Sequence, residues 1–256
     1  MIANYHTHTA RCHHASGTER ESVQNAVDRG LKVLGFSDHC PYFFEDGYYS
    51  THRMLPEEMD DYVETIRNLQ KEFAGQIRLL IGLEVEYYPK FFPKLKDFLD
   101  GYPLDYLILG QHFLGNEMEK VYSSRETGDE ALLAWYTDQT AEALQTGLFS
   151  CFAHPDMFRF TGDAGVYRRC AQKQIENAMG LGIPLELNLL GAAEGRHYPR
   201  EDFFALAGEM GAGVIVGCDA HAPERVAKPE ELAWAEDYTR RLGLCVQENM
   251  ELKSPR

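Results

Sequence analysis

The chain has 256 residues, of which 44% are hydrophobic and 12% aromatic, and its formal net charge is −15. This length and composition allow a sizeable core and predict a single domain over residues 1–256. So acidic a chain is a poor partner for a nucleic-acid backbone or an anionic membrane surface, although bound cations could still attract a small anionic substrate.

Short apolar runs alternate with helical patterns along the chain. We predict strands over Ile2–Tyr5, Val33–Phe36, Leu79–Leu83, Tyr106–Leu109, Phe149–Ala153, Pro184–Leu189 and Gly213–Gly217. Between them we predict helices from the Thr18 capping box to Gly30, Pro56 to Gly75, Phe91 to Leu99, Asp129 to Gly147, Tyr167 to Gly180, Pro199 to Gly211 and Pro223 to Gly243. Seven strands alternating with helices indicate an α/β fold with a parallel sheet.

Histidine and acidic residues stand where these strands end. In chain order they are His6, His8, His13, His14, Asp38, His39, Glu84, His112, His154, Asp156, Asp219 and His221. In a closed barrel the C-terminal ends of the strands meet at one mouth, whereas an open sheet concentrates ligands near one switch point. The pattern therefore favours a TIM-like barrel of seven βα units, with its active site at the C-terminal ends of the strands.

Imidazole and carboxylate groups gathered in this way are typical of a hydrolase that uses several metal ions. His6 and His8 are two residues apart on a strand, so both point to the same side. Glu84 ends an apolar strand, where burial of a carboxylate is costly without a cation, and its two oxygens could bridge two metals. Glu86 is the alternative ligand. The proline after His154 predicts extended backbone at that histidine.

Two arginines are candidates for binding an anionic phosphate. Arg159 lies five residues past His154, and Arg196 lies just past the sixth strand, which carries no candidate metal ligand. A solvated surface arginine is the alternative for each. The chain has no GxSxG motif, no CxxxxxR motif and no Walker loop. We therefore predict that a metal-bound hydroxide, and not a side chain, attacks the substrate.

Three further features bear on access to the mouth and on location. His52 and the aromatic loop over Tyr42–Tyr49 could cover the mouth, or the loop could be a surface excursion without a role. Six cysteines without a CxxC spacing are typical of reduced thiols in a cytosolic protein. No signal-peptide pattern and no membrane-spanning apolar run is visible, so we expect a cytoplasmic location. The oligomeric state is left open.

In its motifs the chain resembles the polymerase and histidinol phosphatase (PHP) family, and most of all its histidinol-phosphatase branch. The matching motifs, in the family's order, are His6-Thr7-His8-Thr9, Cys12-His13-His14-Ala15, Phe36-Ser37-Asp38-His39, Gly82-Leu83-Glu84-Val85-Glu86-Tyr87, Gln111-His112-Phe113, Ala153-His154-Pro155, Glu186-Leu187-Asn188 and Gly217-Cys218-Asp219-Ala220-His221. The resemblance implies a distorted seven-stranded (βα) barrel. It also implies two to three divalent metal ions (zinc, manganese or iron) at the mouth.

The resemblance further implies a ligand set for each metal. The first set is His6, His8, Glu84 and Asp219; the second is Glu84, His112 and His154, with Glu84 bridging; the third is His14, His39 and His221. His14 matches the family's third histidine better than His13, because Ala15 and Gly17 follow in register. The segment from Gly195 to Pro199 resembles the branch's signature, in which an arginine binds the substrate phosphate. That arginine would be Arg196, and Arg159 is a weaker match.

The reaction implied is hydrolysis of L-histidinol phosphate to L-histidinol and phosphate, a step of histidine biosynthesis. A hydroxide bridging the first two metals would attack phosphorus, while Arg159 and Arg196 hold the phosphoryl group. Asp219 or His197 would protonate the leaving oxygen. Glu117 and Glu119 are candidates for binding the substrate's ammonium group, although a solvated loop charge is the commoner role.

Other functions remain open for the same residues. A phosphatase of this fold could act on another small phosphomonoester, such as a nucleotide or a sugar phosphate, with the same metal ligands. A nuclease would need a groove for a polyanion, which the charge of −15 disfavours. A non-catalytic metal-binding module would have saturated ligand sets and no arginines at the mouth.

Overall fold

The computed structural model describes residues 1–255. Its strands are β1 Ala3–Asn4, β2 Val33–His39, β3 Arg78–Val85, β4 Tyr106–Leu109, β5 Phe113–Leu114, β6 Val121–Tyr122, β7 Cys151–Phe152, β8 Leu185–Asn188, β9 Gly213–Gly217 and β10 Cys245–Val246. Its α-helices are α1 Glu19–Asp28, α2 Met59–Glu72, α3 Phe92–Leu99, α4 Glu130–Gln145, α5 Ala164–Gly180, α6 Leu189–Ala193, α7 Glu201–Met210 and α8 Pro229–Arg241.

Eight strands form one sheet in the order β1-β2-β3-β4-β7-β8-β9-β10. All of its strand pairs are parallel, and β5 and β6 form a separate antiparallel hairpin. Beyond the ends of β1 and β9, Thr7 pairs with Ala220 in a parallel bridge. The His8 amide donates to the Ala220 carbonyl at 2.9 Å, and the Ala220 amide donates to the His6 carbonyl at 3.2 Å. The sheet therefore closes at the C-terminal ends of its strands, which confirms the predicted α/β, TIM-like class.

Tyr106 fills the inside of the barrel. Its hydroxyl donates to the carbonyls of Tyr5 at 2.7 Å and Phe36 at 3.1 Å. The ring lies over Gly35 and Gly82, where an added Cβ would come within 2.2 and 2.4 Å of Tyr106 atoms. The interior is thus a packed core and not a pore, as is usual for barrels of this class.

The larger apolar core lies between the sheet and the surrounding helices. Helix α2 shows why such helices form there, because Met59, Tyr62, Val63, Ile66 and Leu69 recur at helical spacing and are all buried. The Thr18 capping box starts α1 as predicted, with both of its reciprocal hydrogen bonds present. In the described chain, no helix has the length and apolar character needed to span a membrane.

The structure also contains elements that the apolar pattern did not predict. They are the β5–β6 hairpin, the short helix α6 and β10, the eighth strand of the sheet. The predicted helix from Pro223 to Gly243 is divided into a 3-10 turn at Pro223–Arg225 and α8, which restarts at Pro229. After β10 the chain crosses the N-terminal end of the barrel, where Met250 packs in the interior cluster and the Lys253 amide donates to Ser150 Oγ at 2.7 Å.

Candidate active site

Barrel closure brings the nine predicted metal ligands to one mouth. Each ligand lies at or just past the C-terminal end of a strand, except His14, which comes after the 3-10 turn at Ala10–Cys12. The strands and their ligands are β1 with His6 and His8, β2 with His39, β3 with Glu84, β4 with His112, β7 with His154, and β9 with Asp219 and His221. Several of these residues form groups of three in which the ligand atoms all lie within 4.8 Å of one another. These groups are His6/His8/Asp219, His6/Glu84/His154, His8/His39/Glu84 and His14/His39/His221.

The first cluster is formed by His6, His8 and Asp219, all of which are buried. The two Nε2 atoms of His6 and His8 lie 3.1 Å apart. Asp219 Oδ1 lies 3.0 Å from His8 Nε2 and 3.5 Å from His6 Nε2. The alternating side-chain direction of an extended segment puts both imidazoles on the inner side, which is what the sequence spacing predicted.

Glu84 lies at the centre of the site. Its Oε1 is 2.8 Å from His154 Nε2 and 3.7 Å from His112 Nε2, and its Oε2 is 2.9 Å from His39 Nδ1. Gly110 makes room for this carboxylate, because an added Cβ there would lie 1.8 Å from Glu84 Oε1. Each oxygen therefore faces a different group of imidazoles, an arrangement that suits a bridging carboxylate.

A third cluster, of His14, His39 and His221, lies nearer the solvent. The Nε2 atoms of His14 and His221 are 3.1 Å apart, and the ring of His221 stacks on that of His8 with centroids separated by 4.0 Å. His13, the competing residue, is exposed and ends the 3-10 turn with a φ of 67°. The structure thus brings His14, and not His13, into this group.

Three carboxylates behind the site orient three of the histidines. Glu186 Oε1 lies 2.6 Å from His6 Nδ1, and Asp38 Oδ1 lies 3.4 Å from His8 Nδ1. Glu86 Oε1 lies 3.3 Å from His112 Nδ1. A carboxylate on one ring nitrogen fixes the tautomer and leaves Nε2 free for a metal.

Sequence reasoning gave Glu186 no role, although it is an acidic residue inside an apolar strand. Its Oε2 accepts hydrogen bonds from the His154 amide at 3.0 Å and from Asn188 Nδ2, also at 3.0 Å. Asn188 Nδ2 donates in turn to Asp219 Oδ2 at 3.1 Å. Because burying an unpaired carboxylate is costly, an acidic residue inside an apolar strand was the sequence feature that could have indicated a role for Glu186.

The electrostatics separate the carboxylate-rich part of the site from the third cluster. Burial alone would lower the pKa of His6, but the charges of Glu186, Asp219 and Glu84 raise that pKa to about 10. Burial alone would raise the pKa of Asp219, yet His6 and His8 hold it well below its usual value. In contrast, burial lowers the pKa of His221 to about 3. The buried carboxylates around His6 therefore require a compensating positive charge, whereas the third cluster offers neutral imidazole.

Two of the candidate ligands have left-handed backbone. His154 has a φ of 29° and Asp219 a φ of 47°. The prediction of extended backbone at His154 was therefore wrong, since the turn that aims its imidazole at Glu84 outweighs the restriction from Pro155. Such conformations cost on the order of 1–3 kcal/mol each and often occur at functional sites.

Divalent metal ions fit these residues. Glu84 Oε2 and Asp219 Oδ1 are buried oxygens that face imidazole nitrogens, with His39 Nδ1 2.9 Å from the first and His8 Nε2 3.0 Å from the second. Burying carboxylate charge is costly unless a cation compensates it. Mixed imidazole and carboxylate sites suit zinc, manganese or iron.

A cavity of about 630 Å³ opens over the clusters and includes Glu84, His112, Asp219 and His221 in its wall. Apolar contacts come from Phe113, Tyr122, Met157 and Leu190, and positive charge comes from Lys120, Arg125 and Arg196. Lys120 and Arg125 could not be predicted from the sequence, because both follow short elements that carry no apolar pattern. A small molecule with an anionic group would fit such a cavity.

The two predicted phosphate-binding arginines differ in position. Arg196 lines the cavity, donates to Tyr198 Oη at 2.7 Å, and pairs with Glu194 through Nη2 at 2.7 Å. Arg159 pairs with Glu126 at 2.8 Å and, within the described chain, is not part of the cavity wall.

The two candidates for proton transfer also differ in position. Asp219 is part of the cavity wall, and its Oδ1 faces the imidazoles of His6 and His8. His197 is outside the part of the wall that the described chain supplies, and its Nε2–H donates to the Met157 carbonyl at 2.6 Å. Burial also lowers the pKa of His197. Asp219 is therefore the better placed of the two to exchange a proton inside the cavity.

The aromatic loop after β2 is packed against the molecule at its start, whereas residues 45–47 and Tyr49 are exposed. Tyr42 is buried against Tyr88, with ring centroids 4.8 Å apart, and only His52 of the predicted cover lines the cavity. Glu117 is buried and paired with Arg53, so it is not a solvated loop charge. Glu119 accepts a hydrogen bond from Asn116 Nδ2 at 2.8 Å.

Comparisons with known proteins agree with this geometry. The family model for the PHP domain matches residues 4–189. A Deinococcus radiodurans protein named "Probable histidinol-phosphatase" is 32% identical over 88% of this chain and 88% of its own length. A Schizosaccharomyces pombe protein of the same name is 26% identical over 91% of this chain and 85% of its own length. The solved histidinol phosphate phosphatase of Lactococcus lactis, a complex with zinc, L-histidinol and phosphate, has a TM-score of 0.72 and 20% identity over 96% of this chain and 95% of that chain.

Proposed function

Because the chain belongs to the PHP domain family, we propose that it is a metal-dependent phosphomonoester hydrolase that converts L-histidinol phosphate and water into L-histidinol and phosphate. The observation that carries the proposal is the group of imidazoles around the buried carboxylates of Glu84 and Asp219, beneath a cavity that Arg196 lines. The names of the relatives and the L-histidinol in the Lactococcus complex support this choice of substrate.

We assign the metal-holding role to His6, His8, His14, His39, Glu84, His112, His154, Asp219 and His221, which together would hold two to three divalent ions, either zinc, manganese or iron. Such ions supply positive charge to the phosphoryl oxygens and lower the pKa of water. Glu186, Asp38 and Glu86 keep the imidazoles of His6, His8 and His112 in orientation from behind.

Arg196 binds the substrate phosphate in this proposal. Its guanidinium is already oriented by Glu194 and Tyr198 and lies in the cavity wall. A planar fork of donors suits two phosphoryl oxygens at once and stabilises the charge that develops on them. Arg159 would give a second contact if its side chain left Glu126.

Asp219 is the favoured proton carrier, with His197 as the alternative. Asp219 Oδ2 accepts from Asn188, which leaves Oδ1 directed at the imidazoles of His6 and His8. Its place in the cavity wall would let this carboxylate relay a proton from the attacking water to the leaving oxygen.

The free cysteines further support a reducing, cytoplasmic location.

The test of this function compares phosphate release across substrates. Chelated protein is reloaded separately with manganese, zinc and iron, and kcat/KM is measured for L-histidinol phosphate and for nucleotide, sugar and amino-alcohol phosphates. We expect a strong preference for L-histidinol phosphate that Arg196→Ala abolishes. Activity concentrated on a nucleotide or sugar phosphate would keep the hydrolase and reject this substrate, and no release with any metal would favour a non-catalytic metal-binding module.

A further inference from the structure

We infer that Arg53 is a positioning residue for the metal site, since it holds Glu86 against His112 Nδ1 and so directs His112 Nε2 into the cavity. The inference rests on the proposed function, because it assumes that His112 binds a metal. Arg53 lies in the loop after β2, Glu86 directly follows β3, and His112 follows β4. The sequence pattern gave no reason to connect them.

Arg53 is buried, with 3% of its surface exposed, and all three nitrogens of its guanidinium donate hydrogen bonds. Nη2 donates to Glu86 Oε1 at 2.8 Å and to Glu117 Oε2 at 2.7 Å, and Nε donates to Glu117 Oε2 at 2.9 Å. Nη1 donates to the Cys40 carbonyl at 3.0 Å. A guanidinium that donates this many hydrogen bonds is held in one position, so it fixes the carboxylates of Glu86 and Glu117 relative to each other.

Glu86 uses both of its oxygens in this arrangement. Oε1 lies between Arg53 Nη2 and His112 Nδ1, which is 3.3 Å away. Oε2 accepts from the Phe113 amide at 3.0 Å and from the Tyr88 hydroxyl. Glu86 thus has no oxygen to spare for a metal, and what it offers the site is the orientation of His112. This also explains why Glu84 and Glu86, two residues apart, have different tasks.

Aromatic rings enclose the guanidinium. The centroids of Tyr42, Phe44 and Tyr88 lie 5.4, 5.9 and 6.0 Å from Arg53 Cζ. The Tyr48 hydroxyl donates to Glu117 Oε1 at 3.0 Å. The loop after β2 is therefore anchored on the same ion pairs that hold Glu86, and it acts as a wall behind the site.

Replacing Arg53 should loosen Glu86. Through Glu86, the change should affect His112 more than any of the other candidate ligands. Without the guanidinium, Glu86 and Glu117 become two buried carboxylates without a counter-charge, and repulsion moves them apart. His112 then loses the partner that fixes its tautomer. Changes of this kind behind a metal site commonly weaken metal binding by about 10- to 100-fold.

The experiment compares Arg53→Gln and Arg53→Lys with the wild-type chain, using Arg225→Gln as the matched control. Arg225 is a partly buried arginine whose guanidinium pairs with Glu231 at 3.4 Å. Manganese binding to chelated protein is measured by calorimetry, and bound manganese is counted after dialysis. We expect one class of sites to weaken by about 10- to 100-fold in Arg53→Gln and by less in Arg53→Lys. The control should bind as wild type does.

Activity serves as a second readout. With excess manganese, kcat of Arg53→Gln on L-histidinol phosphate should recover towards the wild-type value, because the defect lies in holding the ion. A purely structural role predicts a lower unfolding midpoint with unchanged manganese binding, and that result would overturn the inference. If Arg53→Gln fails to fold, Arg53→Lys decides, because it keeps the buried charge; wild-type affinity in a folded Arg53→Lys protein rejects the inference. If the wild-type chain binds manganese but releases no phosphate, the proposed function fails while the binding comparison still stands.

Discussion

His6 Nδ1 lies 2.6 Å from Glu186 Oε1, and the same carboxylate accepts from the His154 amide through Oε2 at 3.0 Å. One buried side chain of β8 therefore positions two candidate ligands that are 148 residues apart in the chain (154 − 6). Gly217 allows this approach, because an added Cβ there would lie 1.8 Å from Glu186 Oε1.

Glu186→Gln should weaken metal binding without removing a ligand. The amide retains the size of the side chain but loses the charge that raises the pKa of His6, and its oxygen holds the imidazole less firmly. We expect a loss of about 10- to 100-fold in metal affinity, measured by calorimetry on chelated protein. The exposed Glu201→Gln serves as the control. Unchanged affinity in Glu186→Gln would show that His6 needs no partner behind it.

Gly110→Ala should displace Glu84. The new methyl group would occupy the space of Oε1, so the carboxylate must turn away from His154 and His112. We expect the count of bound metal ions per chain to fall by at least one, with phosphate release falling in parallel. Gly180→Ala is the matched control, because its added Cβ meets no atom within 4 Å. Wild-type metal content in Gly110→Ala would contradict the central position of Glu84.

Arg196→Gln should affect substrate binding and leave metal binding intact. Hydrogen bonds to charged groups contribute about 1.5–3 kcal/mol, so kcat/KM should fall by roughly 10- to 100-fold. Steady-state kinetics with saturating metal measure this loss. The control is Arg168→Gln, since Arg168 pairs with Glu209 outside the cavity. An equal loss of kcat/KM in Arg196→Gln and Arg168→Gln would show that Arg196 does not bind the substrate phosphate.

Removal of metal should destabilise the fold. Glu84 and Asp219 would then be buried with only the neighbouring imidazoles to offset their charge. Ligand at about 100 times its Kd contributes about 2.7 kcal/mol to the free energy of unfolding. We therefore expect chelation to lower the urea midpoint of the wild-type chain clearly, and that of the chain carrying both Glu84→Gln and Asp219→Asn much less. Equal shifts in both chains would contradict metal binding at these carboxylates.

The sequence predicted the barrel and the family because the seven runs and the ligand motifs are local patterns with a fixed order. It predicted the meeting of His6, Glu84 and Asp219 because parallel strands place their C-terminal ends together. The single domain over residues 1–256 and the role of each ligand stay predictions.

Other features depended on packing that no local pattern encodes. Glu186 and Arg53 acquire their positions from side chains distant in sequence. Both residues of β10 are exposed, so this strand lacks the buried apolar pattern from which the equally short β1 and β7 were predicted. The left-handed backbone of His154 likewise results from tertiary contacts that override the preference set by the following proline.

Titration of chelated protein with manganese, followed by phosphate release from L-histidinol phosphate, tests the central claim most directly. We expect no release from the stripped chain and a return of activity that saturates at two to three ions per chain, while Glu84→Gln stays inactive at every ratio. Release from the stripped chain, or full activity of Glu84→Gln, would contradict the account.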